Sequence, residues 1–472
     1  MRYDVVVVGG GTAGCVLASR LSENPDRSVC LLEAGPDYGP LADGRWPAEI
    51  VSGVRMPWTH DWGPGGEDDN SLGARILGGC SAHNACMVVR GSPADYDEWG
   101  GEWAYDRFAP FLDRARAQLR TRRQITDDPG AFYEAVVEAA TAAGYPTLDD
   151  ADDPSEPVGV TPCPVNMVER TRWNAAFAYL DPARDRKNLS VVDRTLVDRV
   201  ILDGVRAVGV LTSDGTRYDA EIVVLAAGAY FSPAILCRSG IGPEGELARY
   251  GIPVAAALPV GERLLDHCGS SVRWEPSPEL ERQLEEYERD HDIYEFQLVL
   301  KGASSRCAPG TWDLHVLPYA VRDPESEGWD VGGIFFHMKP LSAGRVRLRS
   351  TDPADLPIVE RGFLTHDEDV ETLLEALDLV RSLAATDPLA KLLGAERRPG
   401  AADLEQYLRE TTSGYYHPAG TCPLGSVVDT HARVFGIDGL YVADASFMPT
   451  IPRANTNLTT AAIAERIAAD FA

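Results

Sequence analysis

A glycine-rich turn directly after an apolar strand pattern restricts the fold of this chain more than any other feature. The strand pattern covers residues 3–8, the turn reads Gly-Gly-Gly-Thr-Ala-Gly at positions 9–14, and a second apolar run ends at Glu33. This order predicts a strand, a tight turn, a helix from about Thr12 to Ser22, and a second, parallel strand. The sequence therefore predicts an α/β unit at the start of the chain.

Three glycines of the turn have a physical role in binding a dinucleotide. Gly9 allows the tight turn, Gly11 lets the backbone approach a pyrophosphate, and Gly14 lets the helix pack close to the strand. The free N–H groups and the positive dipole end of the helix attract the pyrophosphate, and Glu33 can accept hydrogen bonds from the ribose hydroxyls. We therefore predict dinucleotide contacts at Gly9, Gly11, Thr12, Ala13, Gly14, Glu33 and Ala34.

The bulk composition argues against several classes of function. The 472 residues carry a net charge of −28 at pH 7, whereas nucleic acids and anionic lipids require clustered Lys and Arg. No apolar run is long enough to cross a bilayer. The nine cysteines lack CxxC spacing, which predicts reduced thiols and no metal site. A strand pattern that begins at residue 3 leaves no room for a cleavable leader, so we expect a cytoplasmic protein.

Two further apolar strands resemble the strand at the N-terminus. One covers residues 221–229 and runs into glycine, and the other covers 439–445 and ends on Asp444. A helix is expected after the second, from about Thr456 to Ala472. Continuous apolar strands are typical of a parallel sheet covered on both faces. The dinucleotide-binding domain is therefore predicted to be assembled from separate segments of the chain.

The material between these segments has a different pattern. Residues 272–300 are charged and favour helix, strands are expected at 312–318, 334–339 and 344–350, and an amphipathic helix is expected at 367–393. This indicates an antiparallel sheet with helices. The length also favours two domains. We predict an α/β protein (α+β overall) whose Rossmann-like cofactor domain comprises 1–154, 191–270 and 414–472, and whose substrate domain comprises 155–190 and 271–413.

Five motifs occur in one order along the chain, at 74–84, 228–242, 260–267, 415–422 and 444–457. Together they resemble the glucose–methanol–choline (GMC) flavin oxidoreductases over essentially the whole chain, and the segment around His83 resembles the choline oxidase branch. The first motif departs from the family pattern at Cys80, where Gly, Ser or Thr is usual. The chain is shorter than most relatives of this kind, and the missing length falls in the predicted substrate domain. The resemblance implies FAD as the cofactor and alcohols as the substrate class.

The resemblance also implies which residues lie beside the cofactor. The 74–84 and 228–242 motifs resemble the first and second family signatures, the 260–267 motif resembles the family's segment near the flavin diphosphate, and the last two motifs resemble its catalytic end. The implied FAD contacts beyond the glycine turn are Arg75, Gly79, Ser81, His83, Asn84, Ala85, Cys86, Val197, Ala227, Gly228, Asp444, Ala445, Asn455 and Thr456.

Alcohol oxidation needs a base for the hydroxyl proton and a fixed donor where negative charge develops. A histidine suits the first role because its unperturbed pKa is close to neutral pH. We predict that His417 is this base and that Asn455 donates a hydrogen bond to the substrate oxygen, while hydride leaves for flavin N5. The alternative is structural: His417 caps a turn and Asn455 binds backbone.

His83 lies where the choline oxidase branch joins a histidine covalently to the flavin 8α-methyl group. Such a bond anchors the cofactor and makes the flavin a stronger oxidant. The alternative is a loop histidine that makes an ordinary hydrogen bond near the isoalloxazine ring. Nothing else in the sequence decides between the two.

Five residues are candidates for a substrate pocket. Glu295, placed beside aromatic residues, could pair with a quaternary ammonium group, and the other candidates are Trp46, His315, His337 and Tyr416. For Glu295 a solvated surface acid is the alternative, and for His337 a packed core position. His315 could belong to either the pocket or the core.

These features predict an enzyme that oxidises a primary or secondary alcohol with FAD and passes electrons to oxygen or another carrier. A lyase with the same fold and flavin is the alternative, and a flavin-binding sensor would have no use for an acid–base pair. The expected partners are a small alcohol and the electron acceptor, without nucleic acid or a membrane span. The particular alcohol, the acceptor and the oligomeric state stay open.

Overall fold

Two seven-stranded sheets organise the part of the chain that the structure describes. The structure is a computed structural model, and it describes residues 2–63, 72–123, 129–323 and 328–471. One sheet is largely parallel and carries the glycine turn, and the other is antiparallel. Each has its own hydrophobic core.

The first sheet confirms the predicted α/β unit. Val5–Val8 are buried, because helices and loops cover both faces of this continuous apolar strand. Parallel pairing joins the N-terminal strand to its neighbours on both sides. The predicted strand near residue 440 pairs in parallel with the C-terminal end of the 217–225 strand. In spatial order the strands are Leu189–Val192, Val29–Leu32, Arg2–Val8, Arg217–Leu225, Arg206–Thr212 and Val197–Asp203, with Leu440–Val442 also paired to Arg217–Leu225.

Three helices pack on one another against this sheet. Thr12–Leu21 begins at the glycine turn as predicted, and Thr456–Ala469, which forms most of the predicted C-terminal helix, packs against both Thr12–Leu21 and Tyr105–Gln118. All but two residues of the last helix are buried. The other helices of this part are Ala48–Val51, Pro93–Asp97, Gly228–Arg238 and Glu244–Arg249, with short turns at Leu41–Asp43, Gly79–Ala82, Gly101–Trp103, Ala176–Leu180, Asp181–Ala183 and Ala445–Phe447.

The second sheet is antiparallel throughout. Its strands are, in spatial order, Leu393–Arg398, Cys268–Pro276, Trp329–His337, Leu314–Arg322, Leu298–Gly302 and Gly159–Pro162, with Ser413–Gly414 also paired to Cys268–Pro276. The helices of this part are Ala131–Ala142, Pro278–Glu288, Asp367–Ala384, Leu389–Leu392 and Leu404–Thr411. Short two-stranded pairs join Arg122–Arg123 to Pro164–Val165, Met167–Val168 to Thr171–Arg172, and Ile241–Gly242 to Ala256–Ala257.

Three predicted features of this unit differ in the structure. Residues 268–276 are a strand of the sheet although the surrounding segment is charged, because alternate side chains such as Val272 and Trp274 are buried. The predicted strand at 344–350 is only Arg345–Arg347, and it pairs with Ile358–Glu360 outside the large sheet. The helix expected at 367–393 ends at Ala384 and is followed by a separate turn.

The two cores also divide the chain differently from the predicted boundaries. Helix Ala131–Ala142, assigned to the cofactor domain, buries Phe132 and Val136 in the core of the antiparallel sheet. Residues 175–180, assigned to the substrate domain, pack against the Thr12–Leu21 helix. An amphipathic segment can be recognised from its periodicity, but the periodicity does not say which core it covers. Within the described residues, no helix is both long and apolar enough to span a bilayer.

Candidate active site

The glycine turn has the geometry that a dinucleotide requires. Gly9 has φ +98°, and a Cβ there would lie 2.6 Å from the carbonyl oxygen of Ala226. A Cβ on Gly14 would lie 1.8 Å from the carbonyl oxygen of Gly9, so only glycine allows this approach of helix to strand. A Cβ on Gly11, in contrast, would meet nothing nearer than the Cα of Gly79, at 3.8 Å. Space for a ligand therefore lies in front of Gly11.

The helix that follows presents unsatisfied donors to this space. Gly11 is its N-cap and supplies no side-chain cap, so the first N–H groups, including those of Thr12 and Ala13, have no partner inside the helix. The Thr12 hydroxyl donates to Asn457 Oδ1 at 2.8 Å, and Asn457 Nδ2 is buried without a hydrogen-bond partner among the described residues. Orphan donors at a helix N-terminus fit a diphosphate.

Glu33 is held at the end of its strand by backbone donors. Its Oε2 accepts from Gly10 N and its Oε1 from Gly35 N, both at 2.7 Å. Burial raises the pKa of Glu33 to about 7, against the lowering effect of these bonds and of Arg75. Arg75 Nε donates to the carbonyl oxygen of Ala34 at 3.2 Å. The carboxylate and this guanidinium therefore lie together at the predicted adenosine end.

Asp444 is placed between two turns, and its oxygens are engaged by the protein. Oδ2 accepts from Gly228 N and the Ser232 hydroxyl, and Oδ1 accepts from the backbone and hydroxyl of Ser446. Its carboxylate therefore fixes the start of the Gly228–Arg238 helix against the last strand of the first sheet. Ala227 and Ala445 flank this junction. Val197 is buried at the start of its strand, and Thr456 begins the C-terminal helix.

The turn that carries His83 is also fixed from within. The Ser81 hydroxyl donates to the carbonyl oxygen of Gly78, and Asn84 Oδ1 accepts from Cys86 N. Cys86 has φ +62° and its Sγ lies 3.3 Å from Arg172 Nη1. His83 Nε2 donates to a backbone carbonyl at 2.9 Å, so its Nδ1 has the free lone pair when the ring is neutral. Ala85 lies within the same turn.

The structure brings the predicted catalytic pair together. His417 Nε2 lies 3.2 Å from Asn455 Nδ2, although 38 residues separate them, and both side chains are buried. His417 lies in the loop after the Ser413–Gly414 strand of the second sheet, and Asn455 is the N-cap of the Thr456–Ala469 helix. The pair therefore stands where the two cores meet.

A second histidine contacts the first. His267 Nδ1 lies 2.8 Å from His417 Nδ1, and His267 Nε2 lies 3.0 Å from the carbonyl oxygen of Pro452. In the sequence, His267 is the last residue of the 260–267 motif, which resembles the family's segment near the flavin diphosphate. No local pattern reveals this contact, which joins residues 150 positions apart.

The hydrogen bonds fix which ring nitrogens carry protons. A carbonyl oxygen only accepts, so His267 Nε2 carries hydrogen and its Nδ1, in the neutral ring, has a lone pair. His417 Nδ1 must then donate to it, which leaves the lone pair of His417 on Nε2. Asn455 Nδ2 donates to that lone pair, because Asn455 Oδ1 is occupied as an acceptor from Val89 N at 3.1 Å. All three bonds agree on one tautomer.

Burial keeps both imidazoles neutral. It lowers the pKa of His417 from 6.5 to about 3. It lowers the pKa of His267 well below 6.5, with a further contribution from His417. Asp266 Oδ1 accepts from the backbone N–H of His417 at 2.9 Å, and burial raises the pKa of that carboxyl to about 7, against the charge of Arg361. The site therefore presents an unprotonated Nε2.

Aromatic and apolar side chains lie beside this nitrogen. The ring of Tyr415 stacks on Phe336 at 3.7 Å and lies 4.3 Å from the ring of His417. His315 is fully buried with its ring 6.3 Å from Tyr415, and neither of its ring nitrogens has a hydrogen-bond partner among the described residues. Tyr416, at φ +60°, exposes about half of its side chain, 51%.

Glu295 lies on the loop before the Leu298–Gly302 strand, not on the helix that the charged sequence suggested. Its Oε2 accepts from Met56 N at 3.1 Å, and burial raises its pKa, against that bond and Arg172. Its charge is close enough to contribute to raising the pKa of Tyr416. Glu295 is therefore a largely enclosed carboxylate on the side of the site that Tyr416 borders.

Two predicted pocket residues, Trp46 and His337, are engaged by contacts of their own. Trp46 packs edge-on against Phe177 in the core of the first sheet, and its Nε1 donates to the carbonyl oxygen of Gly39. His337 is tied to Asp369, with 3.3 Å between Nε2 and Oδ1. Burial alone would raise the pKa of Asp369, but hydrogen bonds lower it to about 2. The hydrogen bond with His337 has the largest lowering effect. Both side chains are occupied by contacts that stabilise the fold.

Replacing His315 by Leu should make the folded state less sensitive to acid. Burial, with smaller effects of Lys301 and His417, lowers its pKa from 6.5 to about 3. The unfolded chain therefore binds this proton first, and the stability present above pH 6.5 is lost as the pH falls toward 3. From pH 7 to pH 5 the loss is about 2 kcal/mol.

Urea unfolding of the flavin-free protein at both pH values measures this difference. His315→Leu should lose about 2 kcal/mol less than the wild type between pH 7 and pH 5, and His366→Leu, at an exposed position, should match the wild type. Equal losses in all three proteins would contradict a neutral, buried His315.

The described residues contain no group of three or more His, Cys, Asp or Glu side chains that could hold a metal ion.

The family models of GMC oxidoreductase match residues 3–269 and 340–464. The mitochondrial choline dehydrogenase of Mus musculus is 32% identical, over 99% of this chain and 89% of the relative. The oxygen-dependent choline dehydrogenase of Pectobacterium atrosepticum is 34% identical, over 99% of this chain and 94% of the relative.

Solved structures share the fold. Pyridoxine 4-oxidase from "Mesorbium loti" superposes with a TM-score of 0.86 at 27% identity, over 99% of both chains. A variant of the formate oxidase of Aspergillus oryzae superposes with a TM-score of 0.84 at 23% identity, over 99% of this chain and 97% of that one, which supports the fold alone. The chain therefore belongs to the GMC oxidoreductase family, and it is an FAD-dependent oxidoreductase that acts on CH–OH groups.

Proposed function

We propose that this enzyme oxidises a small alcohol that carries a positively charged ammonium group, with choline as the first candidate. The observation that carries the proposal is the half-buried Glu295 carboxylate, which accepts a hydrogen bond from Met56 N and whose charge contributes to raising the pKa of Tyr416, the residue before His417. The relatedness to choline dehydrogenases supports it. In this proposal the unit of the first sheet binds FAD and the antiparallel unit lies over the substrate.

The chemistry needs one proton acceptor and one fixed donor. Bound FAD supplies a hydride acceptor at N5. His417 Nε2 accepts the hydroxyl proton, because hydrogen bonding fixes its lone pair on that atom. Asn455 Nδ2 has a second N–H, which donates to the substrate oxygen as negative charge develops there. Burial lowers the pKa of His417 to about 3, so its imidazole is unprotonated at neutral pH.

His267 acts through His417 as a positioning residue. Its Nδ1 accepts from His417 Nδ1 at 2.8 Å, which holds the ring in one tautomer and one orientation. When His417 takes up the substrate proton, this bond becomes charge-assisted and stabilises the imidazolium. The carbonyl of Pro452 fixes His267 in turn.

Replacing His417 by Ala should slow flavin reduction by about 10²- to 10⁴-fold, because a general base contributes that much. The measurement is anaerobic bleaching of the flavin absorbance after mixing with choline. His366→Ala, at an exposed position, is the control and should bleach at the wild-type rate. Undiminished bleaching in His417→Ala would contradict its role, and product formation without bleaching would favour the lyase alternative.

Replacing Glu295 by Gln should weaken the binding of choline more than that of an uncharged analogue. The substitution keeps the shape and the Met56 contact but removes the negative charge, so KM for choline should rise by about 10- to 100-fold. KM for the uncharged analogue 3,3-dimethylbutan-1-ol should change less than about twofold. Steady-state kinetics with both alcohols measures the two KM values. An equal rise in KM for both alcohols would contradict pairing of Glu295 with a cation.

We also propose that His83 holds the flavin covalently through its 8α-methyl group. Forming the bond replaces one C–H of that methyl group and one ring N–H by C–N, and the two electrons and two protons leave with the acceptor that reoxidises the flavin. Acid precipitation of the holoenzyme should leave the yellow colour in the pellet, and His83→Ala should release it. Yellow colour in the wild-type supernatant would rule the bond out.

The described structure contains nine free cysteines and no disulfide, which supports a reducing, cytoplasmic compartment as part of this proposal. Oxygen and other electron carriers both stay candidates for the acceptor.

A further inference from the structure

A short segment outside any helix or strand carries the carbonyl that fixes His267. Residues 449–453 lie between the Ala445–Phe447 turn and the Thr456–Ala469 helix. Each of the five successive carbonyl oxygens in this 449–453 segment accepts a hydrogen bond from a side chain. The donors, in order from Pro449 to Arg453, are Arg263 Nη1 at 2.9 Å, Trp99 Nε1 at 3.2 Å, Lys339 Nζ at 3.0 Å, His267 Nε2 at 3.0 Å and Trp312 Nε1 at 3.0 Å.

The donors come from both units of the fold. Trp99 follows the Pro93–Asp97 helix of the first unit, whereas His267, Trp312 and Lys339 lie just before or after strands of the antiparallel sheet. Buried backbone carbonyls need partners, and here side chains supply them in place of a neighbouring strand. The position of the Pro452 carbonyl is therefore set by the side chains that hold this segment.

Asp95 binds the segment through its last residue. The Asp95 carboxylate is fully buried on the Pro93–Asp97 helix. Its Oδ2 accepts from the backbone N–H of Arg453 at 2.8 Å, and its Oδ1 forms an ion pair with the Arg453 guanidinium. Lys339 Nζ lies 3.3 Å from the same Oδ1 and also donates to the carbonyl of Ile451. One carboxylate therefore holds Arg453 directly and contacts the lysine that binds the middle of the segment.

The ion pair of Asp95 with Arg453 has no replacement within the described residues. Arg453 is only 7% exposed, and Asp95 is the one carboxylate there that lies within ion-pair distance of its guanidinium. Lys339, in contrast, has a second carboxylate, that of Glu98, at 2.8 Å. A buried guanidinium without its carboxylate is strongly unfavourable, so Arg453 would have to move toward water. The carbonyl of Pro452 would move with it, because Pro452 is the preceding residue.

We propose that Asp95 is a positioning residue for proton removal, because its ion pair with Arg453 keeps the Pro452 carbonyl against His267 Nε2. That contact fixes the tautomer of His267, and His267 Nδ1 in turn fixes the lone pair of His417 on Nε2. Asp95 itself touches no reacting atom. The inference rests on the proposed role of His417 as the base.

¹⁵N NMR of the histidine-labelled holoenzyme at pH 7 tests the proposal in Asp95→Asn, in Arg453→Met and in the double variant. Asp95→Asn keeps the shape and a neutral acceptor for the Arg453 N–H. In each single variant the ratio of the two His417 tautomers should shift about fivefold toward hydrogen on Nε2, the effect of one lost hydrogen bond. The double variant removes both charges of the pair, so it should fold and should shift the ratio no further than either single variant.

Glu465→Gln is the matched control. Glu465 is also a buried carboxylate, 1% exposed, and it pairs with Arg20. It lies on the helix that Asn455 caps, about 15 Å along the axis, and contacts no residue of the 449–453 segment. The substitution should lower the urea midpoint, as Asp95→Asn does, but should leave the tautomer ratio of His417 unchanged.

Anaerobic flavin reduction by saturating choline gives a second readout. The rate should fall by about 10- to 100-fold in Asp95→Asn, because the base is misplaced, while KM should change less than about threefold. The NMR measurement needs no substrate, so an enzyme that does not oxidise choline would contradict the proposed substrate and not this inference.

Two results would overturn the role of Asp95. One is an unchanged tautomer ratio in both Asp95→Asn and Arg453→Met. The other is an equal shift in Glu465→Gln, which would indicate a general loosening of the fold. A shift in Asp95→Asn without one in Arg453→Met would overturn the action through Arg453.

Discussion

One hydrogen bond between two buried imidazoles determines what the active site can do. The bond joins His267 Nδ1 to His417 Nδ1 at 2.8 Å, and the carbonyl of Pro452 decides its direction, because that oxygen can only accept. As a result the reactive lone pair is on His417 Nε2, next to the Asn455 amide. Without His267, both tautomers of His417 would be available, and only one of them can accept a proton from a substrate.

This arrangement depends on the meeting of the two units. His267 and His417 enter from the antiparallel sheet, directly before strand Cys268–Pro276 and after Ser413–Gly414, whereas Asn455 caps a helix packed on the parallel sheet. The same helix contributes Asn457, which contacts Thr12 at the predicted diphosphate end. In the proposed function, cofactor binding and proton removal are therefore connected through one helix. Burial at this junction keeps the imidazoles neutral, since charging either one would require desolvating it.

The sequence could predict whatever depends on a local pattern. The glycine turn predicted the first strand and helix, because positive φ and close approach leave only glycine at these positions. The family motifs pointed to His417 and Asn455, and the structure brings them together. The contact with His267 could not be predicted, because it joins positions 150 apart through loops without periodicity. Trp46 was expected near the substrate, but its indole fills the first core, and aromatic character alone does not distinguish the two positions.

The protonation state of His417 is the most direct test of this account. ¹⁵N NMR of the histidine-labelled holoenzyme at pH 7, with His417→Asn used for assignment, reports which ring nitrogen carries hydrogen. The account predicts a protonated Nδ1 and an unprotonated Nε2 in the wild type, and a mixture of tautomers in His267→Leu. A wild-type spectrum with hydrogen on Nε2 would contradict it.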